Sequence, residues 1–307
     1  HRISCPIGVL LVIFESRPEV VVQISALTLK SGNAVILKGG KEASESNACL
    51  FGILNQVLME FTDLPDGTLN LLQSREAVSE IVQQNDCLDL IIPRGSNALV
   101  QHIQQHSRVP VLAHADGICH VYWDQAASLS KAMEIIIDAK TEYPAVCNAM
   151  ETLLIHESVA GQFIPRIFER FRGAGVAICG CEKTTKIDSD VSPASLEDYH
   201  AEYLDLKIAV KVVSDVDAAI SHIDEFGSDH TESIVSEDQE TIERFIHRIQ
   251  SSVVMANAST RFSDGGQMGL GAEIGISTSK LHAYGPMGVN DLTTRKYIIR
   301  GAGQIRS

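Results

Sequence analysis

The sequence predicts a three-layer α/β fold of two lobes, each carrying a parallel sheet. Short continuous apolar runs, such as residues 8–14 (GVLLVIF), read as strands buried on both faces. These runs alternate with helix-length segments whose apolar residues recur three and four positions apart. The alternation persists over 307 residues, long for a single core, so two domains are expected.

Pro18 opens the first helix, which carries Val22, Ile24 and Leu27 and ends near Gly32. A second strand, residues 34–37, runs into Lys38-Gly39-Gly40-Lys41. Next come a helix over 44–61, a strand at 69–72, a helix over 76–84 and a strand at 88–92. A helix over 97–106 and a strand at 109–113 close this half. A helix holding Leu129, Met133, Ile136 and Ile137 then leads to the turn Tyr143-Pro144 and to Cys147. Strand 152–155 precedes an apolar-faced helix with Phe163, Ile167, Phe168 and Phe171. Strand 208–213, helix 216–226, strand 233–235, helix 240–250 and strand 252–255 complete the alternation. Residues 182–201 form the longest polar connection, and residues 296–299 read as a lone strand needing a partner elsewhere. That strand and an edge over residues 1–5 favour a homo-oligomer, since exposed edges seek partners.

With 45% hydrophobic and 21% charged residues, the composition is that of an ordinary soluble globular protein. No apolar run approaches the ~20 residues that cross a bilayer. The chain opens on His1 rather than Met and carries no signal-peptide pattern, which reads as a fragment or a processed segment. A net charge of −14 argues against a nucleic-acid partner and leaves any anionic substrate to a local basic site. Seven scattered cysteines, with no C-x-x-C pair, read as free thiols in a reducing compartment, and no zinc site is expected.

Three segments invite chemistry. Glu142-Tyr143-Pro144-Ala145-Val146-Cys147-Asn148 ends a helix and precedes a strand, so the thiol falls on a turn. Free backbone N–H groups there lower a thiol pKa and stabilise an oxyanion, although a packed core cysteine fits the same spacing. Lys38-Gly39-Gly40-Lys41-Glu42 sits between a buried strand and a helix, where α/β sheets bind nucleotides. It has neither P-loop nor G-x-G-x-x-G spacing, and a solvated strand-to-helix turn is the alternative. The long glycine-rich loop from Asn257 holds Ser259, Thr260 and Arg261, a set able to grip a carboxylate; a capped surface loop is the plainer reading. His114, His222 and His230 rank lower as bases, because histidines near strand ends are more often packed.

Taken together, these stretches resemble the γ-glutamyl phosphate reductase (glutamate-5-semialdehyde dehydrogenase) family of the aldehyde dehydrogenase superfamily. The resemblance rests on Pro6-Ile7-Gly8-Val9, Phe14-Glu15-Ser16-Arg17-Pro18, Ser31-Gly32-Asn33 and Leu37 to Glu42. It extends through Ile92-Pro93-Arg94-Gly95-Ser96, the Cys147 segment, Gly227-Ser228-Asp229-His230-Thr231-Glu232 and residues 257–275. Phe226 stands where Tyr or His is usual. The chain is especially similar to the reductase half of bifunctional pyrroline-5-carboxylate synthases.

The resemblance implies an aldehyde-dehydrogenase-like fold, with a Rossmann-type cofactor lobe at 1–114, a catalytic lobe at 115–282 and a C-terminal oligomerisation strand at 283–307. It implies NADPH-dependent reduction of L-glutamyl 5-phosphate through a Cys147 thioester, in proline biosynthesis; the semialdehyde product then cyclises. The N–H groups of Cys147 and Asn148 would form the oxyanion hole. Lys38, Gly39, Gly40, Lys41, Ser96 and Glu202 fall at cofactor positions, with Lys41 toward the 2′-phosphate and Glu202 toward the nicotinamide ribose. Ser16, Arg17, Ser259, Thr260 and Arg261 fall at substrate positions. His114 and Ser16 stand where hydrolytic relatives carry a glutamate base and an asparagine; an enzyme exchanging its acyl group with phosphate has no need to activate water. About a hundred helical residues that usually precede the family's Pro-Ile-Gly-Val are absent, a span within one domain's worth of chain. The family also implies a cytoplasmic enzyme, or a mitochondrial one with a fused glutamate 5-kinase in an animal bifunctional synthase. The alternatives are a hydrolytic NAD(P)-dependent aldehyde dehydrogenase and a non-catalytic scaffold.

Overall fold

The computed structural model describes residues 1–61, 63–74, 76–113 and 116–306. It divides into two compact units, one of residues 1–113 with 269–307 and one of residues 114–268.

The first unit opens with β1 (Arg2–Pro6), β2 (Val9–Phe14), α1 (Val20–Lys30), β3 (Ala34–Lys38) and α2 (Ser44–Phe61). β4 (Leu69–Leu71), α3 (Glu76–Ile81), β5 (Leu90–Arg94) and α4 (Asn97–His106) follow. Its main sheet has the order β4-β3-β2-β5 with all pairings parallel. Side-chain alternation makes the layers. Leu10, Val12 and Phe14 pack with Val20, Val21 and Ile24 of α1, while Leu11 and Ile13 face Val82 and Ile103 on the other side. Every residue from 10 to 14 is buried, which explains the unbroken apolar run. β3 and β4 lie to one side of β2 and β5 to the other; such a reversal marks where open α/β sheets take ligands.

The expected strand at 109–113 is reduced to one parallel bridge, Val111 to Ile91, because Pro110 has no N–H to donate to a ladder.

The second unit holds a seven-stranded parallel sheet, β12-β11-β6-β7-β10-β8-β9. Its elements begin with β6 (Cys119–Trp123), α5 (Leu129–Thr141), β7 (Met150–His156), α6 (Glu157–Gly173) and β8 (Ala177–Gly180). α7 (Glu182–Ile187), β9 (Ser192–Pro193), α8 (Leu196–Tyr199) and β10 (Lys207–Val213) follow. α9 (Val216–Phe226), β11 (Thr231–Val235), α10 (Gln239–Arg248) and β12 (Val253–Ala256) complete it. Helices α5 and α6 cover one face around Trp123, Leu153 and Val210; α9 and α10 cover the other around Tyr122 and Leu154.

β6 was not expected from sequence, since His120 and Tyr122 interrupt its apolar pattern; all five residues are nevertheless buried. The polar connection 182–201 holds two short helices and a strand, with Ser195 and Asp198 closing a capping box on α8.

At residue 269 the chain returns to the first unit, earlier than the expected boundary at 282. The reason is apolar: Ile274, Ala283, Met287 and Leu292 fill the core that β2 and α1 share. β13 (Gly275–Ser277) and β14 (Gly285–Met287) form an antiparallel pair. The supposedly lone terminal strand is β15 (Thr293–Tyr297), and its partner is β1, paired antiparallel over five residues. No helix among the described residues is long and apolar enough to cross a membrane.

Candidate active site

In the second unit, Glu142 caps the end of α5, and Cys147 lies half-buried on the turn before β7. The turn is closed by the Ala149 N–H, which donates to the Val146 carbonyl at 3.0 Å. Beneath it runs Gly117, so close that a Cβ there would fall 2.1 Å from the Cys147 carbonyl oxygen. No side chain fits that contact. The Cys119 thiol donates to the same carbonyl oxygen at 3.2 Å, and a register shift in β6 falls between Cys119 and His120. Burial, reinforced by the Glu232 charge, pushes the Cys119 thiol well up, so it is a poor nucleophile. None of the seven cysteines forms a disulfide.

The expected substrate residues Ser259, Thr260 and Arg261 meet this turn. Ser259 caps the short 3₁₀ turn Thr260–Phe262 by accepting the Arg261 N–H. The Arg261 guanidinium donates to Glu142 at 2.8 Å and to the Asn148 side-chain oxygen. Asn148 returns a bond from its amide to the Ser263 carbonyl at 2.8 Å. A lattice of side chains thus ties the Cys147 turn to the loop after β12. The Thr260 and Ser263 hydroxyls are buried without a protein partner among the described residues.

Glu202 accepts the Gly117 N–H at 3.0 Å. Burial raises its carboxyl, opposed by that N–H and reinforced by Asp116. Behind it lies a buried ion pair that sequence reading missed, Lys140 Nζ to Glu151 Oε2 at 2.6 Å. Burial drives Glu151 up to about 7 and Lys140 down, each opposed by its partner's charge. A charged residue directly before the apolar strand run Thr152–Ile155 was the available signal.

His222 and His230 are interior groups, 3% and 0% exposed. His222 packs against Phe226 and Tyr199 and faces Lys211 Nζ at 2.9 Å. Thr231, Cys119 and the β12 backbone surround His230. Glu232 of the same segment accepts the backbone N–H and ring N–H of His120. This stretch therefore clasps β6. His114 lies outside the described residues.

In the first unit, a cleft of about 870 Å³ opens at the strand ends, lined by Glu15, Lys38, Gly39, Gly40, Lys41 and Glu42 among others. A Cβ at Gly39 would fall 2.1 Å from Asn47 Nδ2, so a side chain there would have to displace the Asn47 amide. Lys38 donates to the Gly39 carbonyl at 2.6 Å, while Lys41 is exposed. Two carboxylates are committed to the backbone. Glu42 accepts the Ser16 N–H at 2.7 Å and its hydroxyl at 3.1 Å; its own N–H first, and then these two bonds, hold the Glu42 carboxyl low. Glu15 accepts the Ser96 N–H at 2.7 Å, at the start of α4. Ser16 itself sits at φ +48°, a strained position for a residue with a side chain. Arg17 is exposed and forms no ion pair among the described residues. No cluster able to hold a metal ion occurs among the described residues.

The aldehyde dehydrogenase family model matches residues 3–204. Gamma-glutamyl phosphate reductase of Natronomonas pharaonis is 51% identical over 99% of this chain and 69% of its own length. Gamma-glutamyl phosphate reductase 1 of Synechocystis sp. is 49% identical over 99% of this chain and 70% of its own. The crystal structure of the Thermotoga maritima gamma-glutamyl phosphate reductase superposes with a TM-score of 0.97 at 44% identity, covering all of this chain and 74% of that one. An acetylating aldehyde dehydrogenase from Geobacillus thermoglucosidasius, 19% identical and with a TM-score of 0.76 over 100% and 77% of the two chains, shares the fold. The chain therefore belongs to the aldehyde dehydrogenase family and, within it, to the gamma-glutamyl phosphate reductases.

Proposed function

We propose that this chain carries the NADPH-dependent reduction of L-glutamyl 5-phosphate to L-glutamate 5-semialdehyde, with Cys147 as nucleophile. The observation that carries the reading is Cys147 itself, half-buried on a turn whose backbone is seated on a glycine, in a chain 51% identical to a reductase of that name.

Membership of the aldehyde dehydrogenase family implies a nicotinamide dinucleotide. The first unit's cleft fits such a group. Its volume lies in the range of small-molecule sites, and Asn47, which lines it, has a buried side-chain oxygen without a protein partner among the described residues. Glu15 and Glu42 are bound to backbone donors, while Lys38 and Lys41 lie along the same wall. Lys41 supports a 2′-phosphate, hence NADPH, and Ser96 a pyrophosphate oxygen. Glu202 is assigned to the nicotinamide ribose.

The Cys147 thiolate forms an S–C bond at the acyl carbon, the C–O bond to phosphate breaks, and inorganic phosphate leaves with the electron pair. The reduced nicotinamide, when bound, supplies a hydride to the thioester carbon. N–H groups of Cys147 and Asn148 hold the oxyanion, whose collapse frees the aldehyde and returns the thiolate. Ser259, Thr260 and Arg261 hold the α-carboxylate, with the Thr260 hydroxyl as a donor, and Arg17 meets the carboxylate or departing phosphate. Ser16 acts here by holding Glu42. A homo-oligomer joined through the β1–β15 ribbon belongs to the same reading, since the ribbon's outer edges are unpaired among the described strands.

Semialdehyde oxidation that depends on inorganic phosphate, together with an acyl adduct on Cys147 by mass spectrometry, is the expected result. Phosphate-independent oxidation, or an adduct on Cys119 or Cys179 with Cys147 untouched, refutes the assignment.

A further inference from the structure

The geometry points to residues 202–204 as a clamp on the nucleophile turn, with Glu202 as a positioning residue for Cys147 even when no cofactor is bound. Each of the three residues is fastened separately. Glu202 holds the Gly117 N–H at 3.0 Å. The Tyr203 hydroxyl donates to Asp198 at 3.0 Å, and the Lys140 ammonium lies 5.9 Å over its ring. Leu204, at φ +52°, donates its N–H to Glu151 at 3.2 Å, and Glu151 is locked by Lys140.

The clamp reaches Cys147 through Gly117, whose missing side chain lets its backbone lie directly against the cysteine's Cα and carbonyl. Any shift of Gly117 must therefore shift the turn that aims the thiol. A buried Lys–Glu pair costs heavily in desolvation, so its presence at this place fits a role in fixing backbone position. Glu202 uses one oxygen on Gly117, which leaves the other oxygen of the carboxylate able to accept from a ribose hydroxyl, so the two assignments to this residue are compatible.

The inference rests on the proposed function only in taking Cys147 as the reacting thiol, and it is tested without substrate or cofactor. Alkylation by iodoacetamide is followed peptide by peptide with mass spectrometry, with exposed Cys49 as the internal reference. Glu202→Ala is expected to slow Cys147 relative to Cys49 by roughly fivefold, the worth of one net hydrogen bond. Glu202→Gln, whose amide oxygen accepts the same N–H, is expected to stay within about twofold of the wild type. The double variant Lys140→Met with Glu151→Leu removes the Leu204 acceptor without stranding a buried charge, and it should also slow Cys147 while circular dichroism shows the fold retained. Equal rates for Glu202→Ala and wild type overturn the clamp, as does a Glu202→Gln variant slowed as much as the alanine. A wild-type Cys147 that does not react at all sinks the proposed nucleophile instead.

Discussion

The two units hold their chemical residues by opposite means. In the first, the Lys38–Glu42 turn keeps its charges at the rim of an open cleft, where carboxylates pair with backbone N–H groups in contact with solvent. In the second, the Cys147 turn rests on groups withdrawn from water: Lys140 and Glu151 at 0% exposure, Asn148 at 5%. The lesson is about rigidity. Solvated contacts contribute little and yield readily to a ligand, whereas a buried polar network is costly to build and costly to disturb.

That contrast can be broken most severely at the thiol. Cys147→Ser should lower reductase activity on the order of 10⁴-fold while leaving the thermal midpoint nearly unchanged, as steady-state kinetics and calorimetry would show. Full activity in the serine variant would remove the second unit's turn from the chemistry altogether.

Next in size is the buried pair. Lys140→Met alone should cost about 3 kcal/mol or more in urea unfolding, because Glu151 is stranded, whereas the double apolar replacement should come close to the parent. If both cost the same, the network stabilises by packing and not by charge.

A pH experiment sharpens the comparison. Burial, then the neighbouring charges of His120, Lys211 and His200, depress His222 from 6.5 to about 2. A base with a lowered folded pKa takes up its proton on unfolding, so the stability is whole above pH 6.5 and is lost as the pH falls toward 2. The slope attributable to this residue approaches about 1.4 kcal/mol per pH unit. His222→Gln should flatten it, and an unchanged acid profile would show that the second unit's interior admits water.

The smallest effect belongs to the solvated side. Lys41→Ala should raise the KM for NADPH about tenfold with little change for NADH and no change in stability, as expected of one charge-assisted contact at a rim. Equal losses with both dinucleotides would move the 2′-phosphate away from Lys41.

Much of this was legible beforehand, for identifiable reasons. Helices 44–61 and 216–226 appear at their expected limits because amphipathic spacing and local stop signals act within a few turns of chain. Cys147 stood out because Pro144 follows a helix and a buried strand comes next. β6 was illegible because His120 finds its partner far along the chain, on Glu232, and because Asp124, the neighbour that accepts the Tyr122 hydroxyl, is held in turn by distant Ser236. Glu15 and Glu42 stood in recognisable motifs with no role of their own until the fold set them against Ser96 and Ser16.

By itself, then, the sequence determined the α/β alternation and the family and singled out Cys147 as the candidate thiol, since each is written in neighbouring residues or in short motifs. Only the tertiary structure decided that β15 pairs with β1, that residues 269–282 belong to the first unit, and that Gly117 and Glu202 stand under Cys147. Those contacts join positions 30 to 295 residues apart, as Gly117 with Cys147 and Arg2 with Tyr297 do, and no local period reports them. They form where burial leaves a backbone donor or a strand edge with one partner within reach.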